Sequence, residues 1–334
     1  MEDMTAKTCS NNAEQNGTKM GLTVAPQRVR QTFMDFDLAL DLENLKADIA
    51  ILGVPYGNPY NIDEVSNDQT NAPTAIRRAS RRISGGLNRW DFDLGCTLFD
   101  GMPIRIVDCG DVPADARDLD GHYHRAEEAV RLIRHAGALP IVLGGDHGVT
   151  IPALGSIEGC GPITLIQIDA HLDWIDTKFG VRQGYSSPIR RASEMNHIGE
   201  IFQIGLRCQG SARREEVEAA TAYGAHLITD LKLQDSGMER VLEQIPDGGK
   251  YYLTIDADGF DPAVMPAVAG PAPGGVTYPQ ARKLIHGLVA KGRVVGMDIV
   301  EITPKHDVNQ ITAITAGNLI LNMIGKAIQA GYFD

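Results

Sequence analysis

Short apolar runs rich in β-branched residues recur along this chain, each separated from the next by a stretch with helical spacing, and this alternation limits the fold more than any other feature. It is the pattern of a parallel sheet flanked by helices, because a strand buried on both faces reads as a nearly continuous apolar run. The runs predict strands over Asp48–Val54, Ile104–Asp108, Leu139–Leu143, Ile163–Ile168, Ile201–Ile204, His226–Ile228, Tyr251–Ile255 and Val294–Met297. Helices are expected over Pro73–Ser84, Gly121–Ala136, Ser211–Tyr223, Leu231–Gln244, Tyr278–Ala290 and Ile311–Ala330. No later stretch reads as a linker and no repeat is visible, so residues 22–334 are expected to form one α/β domain, with Met1–Gly21 as a flexible polar arm.

Charge narrows the partners. Lys plus Arg number 31 against 43 for Asp plus Glu, a net charge of −12, which disfavours nucleic acid and anionic membranes and mildly attracts small cations. The five cysteines are scattered and form no C-x-x-C pair, which fits a reducing cytoplasm better than a disulfide framework or a thiolate zinc site. The N-terminus has no apolar core of a secretory signal. Val308–Gly325 has no charged residue and approaches membrane-spanning length, but Asn309, Gln310, Thr312, Thr315, Asn318 and Asn322 interrupt it, so a helix buried in the protein is expected.

Three clusters at the ends of predicted strands carry metal-ligand chemistry. Gly144-Gly145-Asp146-His147-Gly148 follows one strand, Asp169-Ala170-His171-Leu172-Asp173 another, and Asp256-Ala257-Asp258-Gly259-Phe260-Asp261-Pro262 a third. The ends of parallel strands are where loops converge on a ligand crevice. In extended chain Asp169, His171 and Asp173 would share a face, as would Asp256 and Asp258. Carboxylates so grouped call for protons or a cation. Two imidazoles with four aspartates suit manganese, nickel or a similar ion, since structural zinc favours thiolate and a magnesium or calcium site uses less imidazole. Two ions sharing carboxylates would lie about 3.5 Å apart, the spacing of a bimetallic hydrolase. Asp261 reads equally well as a capping residue of a turn.

These motifs, in this order and spacing, resemble the ureohydrolase (arginase and agmatinase) family, from about Asp48 to the C-terminal helix. Ala72-Pro73-Thr74-Ala75-Ile76-Arg77 and Ile106-Val107-Asp108-Cys109-Gly110-Asp111-Val112 are similar to its agmatinase branch. The resemblance implies a three-layer α/β/α sandwich on an eight-stranded parallel sheet, two divalent ions (Mn2+ or Ni2+), assembly as trimers or hexamers, and hydrolysis of a guanidino C–N bond by activated water. It also implies that His147 and Asp173 hold one ion, His171 and Asp258 the other, with Asp169 and Asp256 bridging. Glu301 would pair with the substrate guanidinium, and Asp173 would carry the proton.

The chain departs from the family at three places. Tyr185 stands where a loop histidine is common, Gly148 replaces the serine after the first metal histidine, and Trp174 follows the second cluster. Tyr185 and Trp174 read either as loop packing or as pocket lining. As lining, they would narrow the site toward a compact guanidino or biguanide cation, such as dimethylbiguanide (metformin), through cation–π contact. Agmatine or a guanidino acid, releasing urea, is the alternative. No segment matches the polar loop by which arginases recognise an α-amino acid. Two further readings compete: a low-activity subunit of a hetero-oligomer, and a mononuclear zinc deacylase, which would leave His147, Asp173 and Asp258 unexplained.

Overall fold

Each expected strand forms, and each is extended or trimmed by only a few residues. The computed structural model describes residues 25–61, 67–115, 118–210 and 212–334, so the expected arm over Met1–Gly21 lies outside the described residues. The strands are β1 (Asp37–Leu38), β2 (Ile49–Val54), β3 (Trp90–Asp91), β4 (Cys96–Thr97), β5 (Ile106–Asp111), β6 (Leu139–Gly144), β7 (Ile163–Ile168), β8 (Ile198–Leu206), β9 (His226–Thr229), β10 (Lys250–Asp256) and β11 (Arg293–Val300). The helices are α1 (Ala72–Ser84), α2 (Leu119–His135), α3 (Thr150–Gly155), α4 (Pro188–Ala192), α5 (Arg214–Tyr223), α6 (Asp230–Gln244), α7 (Tyr278–Lys291) and α8 (Ile311–Gln329).

Nine strands make one parallel sheet in the order β1-β5-β2-β6-β11-β10-β7-β8-β9, and β3 and β4 form a separate antiparallel pair. The ninth strand, two-residue β1, adds to the expected eight at one edge; it is too short to leave an apolar run. Alternate residues of each central strand face opposite layers. In β2, Ile49 and Ile51 join the core under α1, α6, α7 and α8, while Ala50, Leu52 and Val54 join the one under α2. A third cluster, with Leu154, Ile189 and Ala220, lies under α3, α4 and α5. The result is the three-layer α/β/α sandwich. Each fully buried Ile or Leu in these layers contributes about 1.5–3 kcal/mol, which is what holds helices of mixed propensity on the sheet.

α8 is the uncharged segment flagged in the sequence, and it is a core helix, with Leu319, Ile320, Met323 and Ile324 buried in the main cluster. Its buried Asn322 accepts from His286 Nε2 at 2.7 Å and donates to the Tyr278 hydroxyl at 3.1 Å. The short helices α3 and α4 were not legible, because five or six residues carry too little periodicity. α6 is broken at Gly237, whose φ of 80° only glycine adopts without strain. Among the described residues, Cys96, Cys109, Cys160 and Cys208 are all free thiols.

β6, β11, β10 and β7 are consecutive neighbours in the middle of the sheet. Being parallel, they end at the same edge. At or just past their ends stand His147, Glu301, Asp256 with Asp258, and Asp169 to Asp173 respectively. At one side of this edge the buried Arg77 of α1 grips Asp108 through Nε at 2.8 Å and Nη2 at 3.0 Å, and Asp111 through Nη1 at 2.5 Å. The agmatinase-like segments of the sequence are therefore joined by an internal ion-pair clamp.

Candidate metal centre

The loop after β6 begins with a forced close approach. A Cβ on Gly145 would lie 1.9 Å from the Pro55 carbonyl oxygen, so only glycine lets this loop pass the one after β2. Asp146 ties the two loops together, accepting from Gly57 N at 3.1 Å and Gly148 N at 2.9 Å. Gly148 has a local reason too. A side chain there would meet the Tyr123 hydroxyl at 3.0 Å, and that hydroxyl donates to Gly148 O and Gln183 O.

His147 enters the centre fully buried. Its Nδ1 lies 2.9 Å from Asp173 Oδ2, 3.1 Å from Asp256 Oδ2 and 3.2 Å from Asp169 Oδ2, yet it is aligned for a hydrogen bond with none of them. A nitrogen ringed by three carboxylate oxygens without a proper hydrogen bond is the donor arrangement of a cation site. The other ring nitrogen is committed: Nε2 is 3.0 Å from Thr254 Oγ1, and Thr254 donates to Asp298 Oδ1 at 2.6 Å. That relay makes Nε2 the protonated nitrogen and leaves the Nδ1 lone pair for a metal. Tyr252 supplies a second donor to Asp298, at 2.8 Å.

A second half-site stands beside the first. His171 Nδ1 is 3.1 Å from Asp258 Oδ2 and 3.4 Å from Asp169 Oδ1. Asp169 therefore offers one oxygen to each histidine, and the two groups His147-Asp169-Asp256 and Asp169-His171-Asp258 each bring their ligand atoms within 4.8 Å of one another. Gln167 donates to Asp169 Oδ2 at 2.6 Å and is itself held by Gln203 at 2.6 Å. Asp256 turns Oδ2 to His147 Nδ1 and accepts from Asp258 N with Oδ1 at 2.8 Å, which leaves Oδ2 as its ligand atom.

The six expected ligands thus meet, but not by the expected route. Ala257–Gly259 is a 3-10 turn, so Asp256 and Asp258 point to different half-sites. Asp173 reaches His147 by a left-handed backbone, φ 51°, and its carbonyl accepts from Arg190 N at 3.1 Å. Simple strand alternation fails just where the chain leaves the sheet. Asp261 caps the following turn, accepting from Ala263 N at 2.7 Å.

Electrostatics point the same way. Burial opposes charge on His147, but Asp169, Asp173 and Asp256 outweigh it and hold its pKa well above the imidazole range. Asp169 and Asp258 push His171 up to about 12. Burial and the charge of Asp169 raise Asp173 to about 7, and burial with the charges of Asp258 and Asp169 raises Asp256 well above the carboxylate range. Such a basin retains protons because it holds more negative charge than its imidazoles can balance, and divalent cations would take the protons' place.

Glu301 follows β11 with φ 65°, a second strained residue at the centre. Its Oε1 accepts from His147 N at 2.7 Å and its Oε2 from Gln69 Nε2 at 3.0 Å. Each oxygen keeps a lone pair for another donor. Burial, then the charge of Asp146, raises its pKa to about 8, a carboxylate awaiting a cation. Gln69, Thr254, Asp298 and Gln167 gave no signal in the sequence, since lone polar residues beside strands are common.

Of the two readings of Trp174, the structure shows packing. Its ring is buried in the cluster under α3 to α5, 5.8 Å from the Tyr223 ring, and packs there without lining a pocket. Tyr185 is half-buried and meets Tyr60 edge-on at 4.7 Å. A surface groove of about 550 Å3 lies between α1 and the start of α8, away from this chemistry.

A parallel sheet that gathers imidazoles and carboxylates at one edge presents the donor set of a divalent-metal site. Comparison with known proteins narrows the reading. The sequence matches the arginase family over residues 47–325. It is 30% identical to a guanidinobutyrase of Pseudomonas aeruginosa, covering 74% of this chain and 78% of that one, and 31% identical to a mitochondrial agmatinase of Gallus gallus, covering 83% and 80%. The proclavaminate amidino hydrolase of Streptomyces clavuligerus has a similar structure, with a TM-score of 0.78 at 25% identity over 92% of this chain and 100% of that one. The chain belongs to the arginase family, hydrolases that act on C–N bonds in amidines.

Proposed function

We propose that this chain is a two-metal amidinohydrolase whose substrate is a compact guanidino or biguanide cation, dimethylbiguanide among the candidates. The observation that carries the two-metal reading is Asp169, one oxygen toward His147 and the other toward His171. When bound, manganese or nickel ions would polarise the substrate and lower the pKa of a water. His147, Asp169, Asp173 and Asp256 would hold one ion, and Asp169, His171 and Asp258 the other.

The remaining roles belong to side chains. Glu301, fixed by His147 N and Gln69, accepts two guanidinium N–H groups through its free lone pairs and orients the carbon under attack. Asp173 takes the proton released at the nucleophile and delivers it to the departing nitrogen, a role suited to a carboxylate raised toward neutrality by burial. The named relatives, a guanidinobutyrase and an agmatinase, support the alternative of a guanidino acid or agmatine yielding urea. Tyr185 supports a changed preference, because it brings a ring where a shuttling imidazole is common. We place the enzyme in the cytoplasm, as a homo- or hetero-oligomer, trimer or hexamer.

The test is to load the full chain separately with manganese and nickel and assay urea, guanylurea and amine release. Substrates are agmatine, guanidine, guanidinobutyrate, guanidinopropionate and dimethylbiguanide, with Asp173→Asn as control. Metal-dependent turnover of one of them, lost in the variant, supports the reading. Two bound ions with no turnover would overturn stand-alone catalysis and favour the low-activity subunit of a hetero-oligomer.

A further inference from the structure

Beside the metal basin stands a small cationic arrangement that neither the sequence patterns nor the relatives assign. Lys178 Nζ lies 4.6 Å from the centroid of the Tyr60 ring and 5.3 Å from that of Tyr185. Its backbone is fixed by a two-residue turn: Lys178 and Val181 exchange hydrogen bonds at 3.0 and 2.9 Å, with Phe179 at φ 50° and Gly180 at φ 82° between them. Left-handed φ at both central residues is what the tightest hairpin turns require. The ammonium is thus held, not trailing in solvent.

Among the described residues, no carboxylate pairs with it. The nearest acid in sequence, Asp176, is already engaged by Arg182 at 3.3 Å, Arg190 at 3.9 Å and Arg191 at 2.5 Å. Among the described residues, the Lys178 charge meets two ring faces and no acid. The rings connect that charge to the catalytic basin. Tyr60 is buried, its hydroxyl accepts from Ser186 N at 3.1 Å, and Ile175, two residues past Asp173, donates to Ser186 O at 3.1 Å. Tyr60 also lies against Gly184, where a Cβ would meet its ring at 2.4 Å, and the neighbouring Gln183 carbonyl shares the Tyr123 hydroxyl with the carbonyl of Gly148, the residue after His147.

Building on the amidinohydrolase reading above, we infer that Lys178, held over Tyr60 and Tyr185, selects substrates by the charge of the tail beyond the guanidinium. A tail ending in ammonium meets a fixed like charge on a surface that would otherwise attract it. A carboxylate tail finds an unpaired cation, and a neutral tail is indifferent. The aromatic surface that would draw a second cationic group is already covered by the protein's own.

The experiment uses the manganese-loaded full chain with three probes: 4-guanidinobutyrate, agmatine and butylguanidine, which end in a carboxylate, an ammonium and a methyl group. Affinity is read by calorimetry and kcat/KM by product release, in wild type, Lys178→Arg, Lys178→Met and Lys178→Glu. Wild type and Lys178→Arg should favour guanidinobutyrate over agmatine. The ratio should fall about tenfold in Lys178→Met, the order expected for one unit charge nearby in a partly solvated site, and reverse in Lys178→Glu. Butylguanidine should move less than about twofold throughout.

A binding ratio that stays within about twofold in Lys178→Met and Lys178→Glu overturns the inference. So does an equal loss for all three probes, which would mark Lys178 as merely structural. Failure of the two claims is separable. Turnover or binding with an unmoved ratio, and absence of binding by all three probes, sink the lysine alone; the hydrolase reading falls separately, if the five-substrate assay above, dimethylbiguanide included, shows no metal-dependent turnover.

Discussion

The metal basin and its entrance are built on opposite principles. In the basin, the active side chains stand at or just past the ends of central strands, and three are locked by buried partners: His147 by Thr254 and Asp298, Asp169 by Gln167 and Gln203, Glu301 by Gln69. At the entrance, Tyr60, Lys178 and Tyr185 come from loops and hold one another by ring contacts. On the proposed reading, the basin would fix which bond is broken and the loop residues would tune which molecule is admitted. This division lets a family keep one reaction while relatives differ in substrate.

Substitutions can break or sharpen that contrast. The largest effect is expected from Asp173→Asn, which removes a proton acceptor and should lower kcat about a thousandfold while the chain stays folded. A loss confined to KM would instead make Asp173 a binding residue. Next comes Asp298→Asn, two bonds behind the ligand, which should weaken the ion on the His147 side about 10–100-fold and leave the His171 side unchanged. Metal titration reads this directly, and equal weakening of both ions would mean that the half-sites are not separately supported.

Entrance changes should be smaller and leave metal binding untouched. Tyr185→Leu removes one of the two rings under Lys178 and should shift KM for a charged-tail substrate about fivefold, from a contact worth roughly 1 kcal/mol. Altered metal content in that variant would erase the boundary between the regions. The smallest effect on catalysis is expected from Trp174→Phe, because its ring packs against Tyr223 in the core. Thermal unfolding should show a loss of about 1–2 kcal/mol while kcat/KM stays within about twofold. A larger change in kcat/KM would return Trp174 to the pocket wall.

The same contrast explains what could be read in advance. Strands buried on both faces write themselves into the sequence as apolar runs, so β2, β5, β6, β7, β10 and β11 were visible to within a few residues. The ligands were visible because imidazoles and carboxylates crowded after strand ends have few other uses. Their geometry was not. The left-handed φ of Asp173 and the 3-10 turn at Ala257–Gly259 arise from tertiary fit, and strand alternation cannot foresee them. Gln69 reaches Glu301 across 232 positions, a pairing no local pattern carries. Trp174 showed the limit most clearly, because a tryptophan beside a ligand faces core or cavity according to packing that only the folded chain decides.

The central claim is that two ions share Asp169, and counting bound manganese per chain in wild type, His171→Ala and Asp169→Ala tests it most directly. The account predicts two ions in wild type, one retained in His171→Ala, and loss of both at the same free metal concentration in Asp169→Ala. A single ion in wild type, or an Asp169→Ala chain that still holds two, would contradict it.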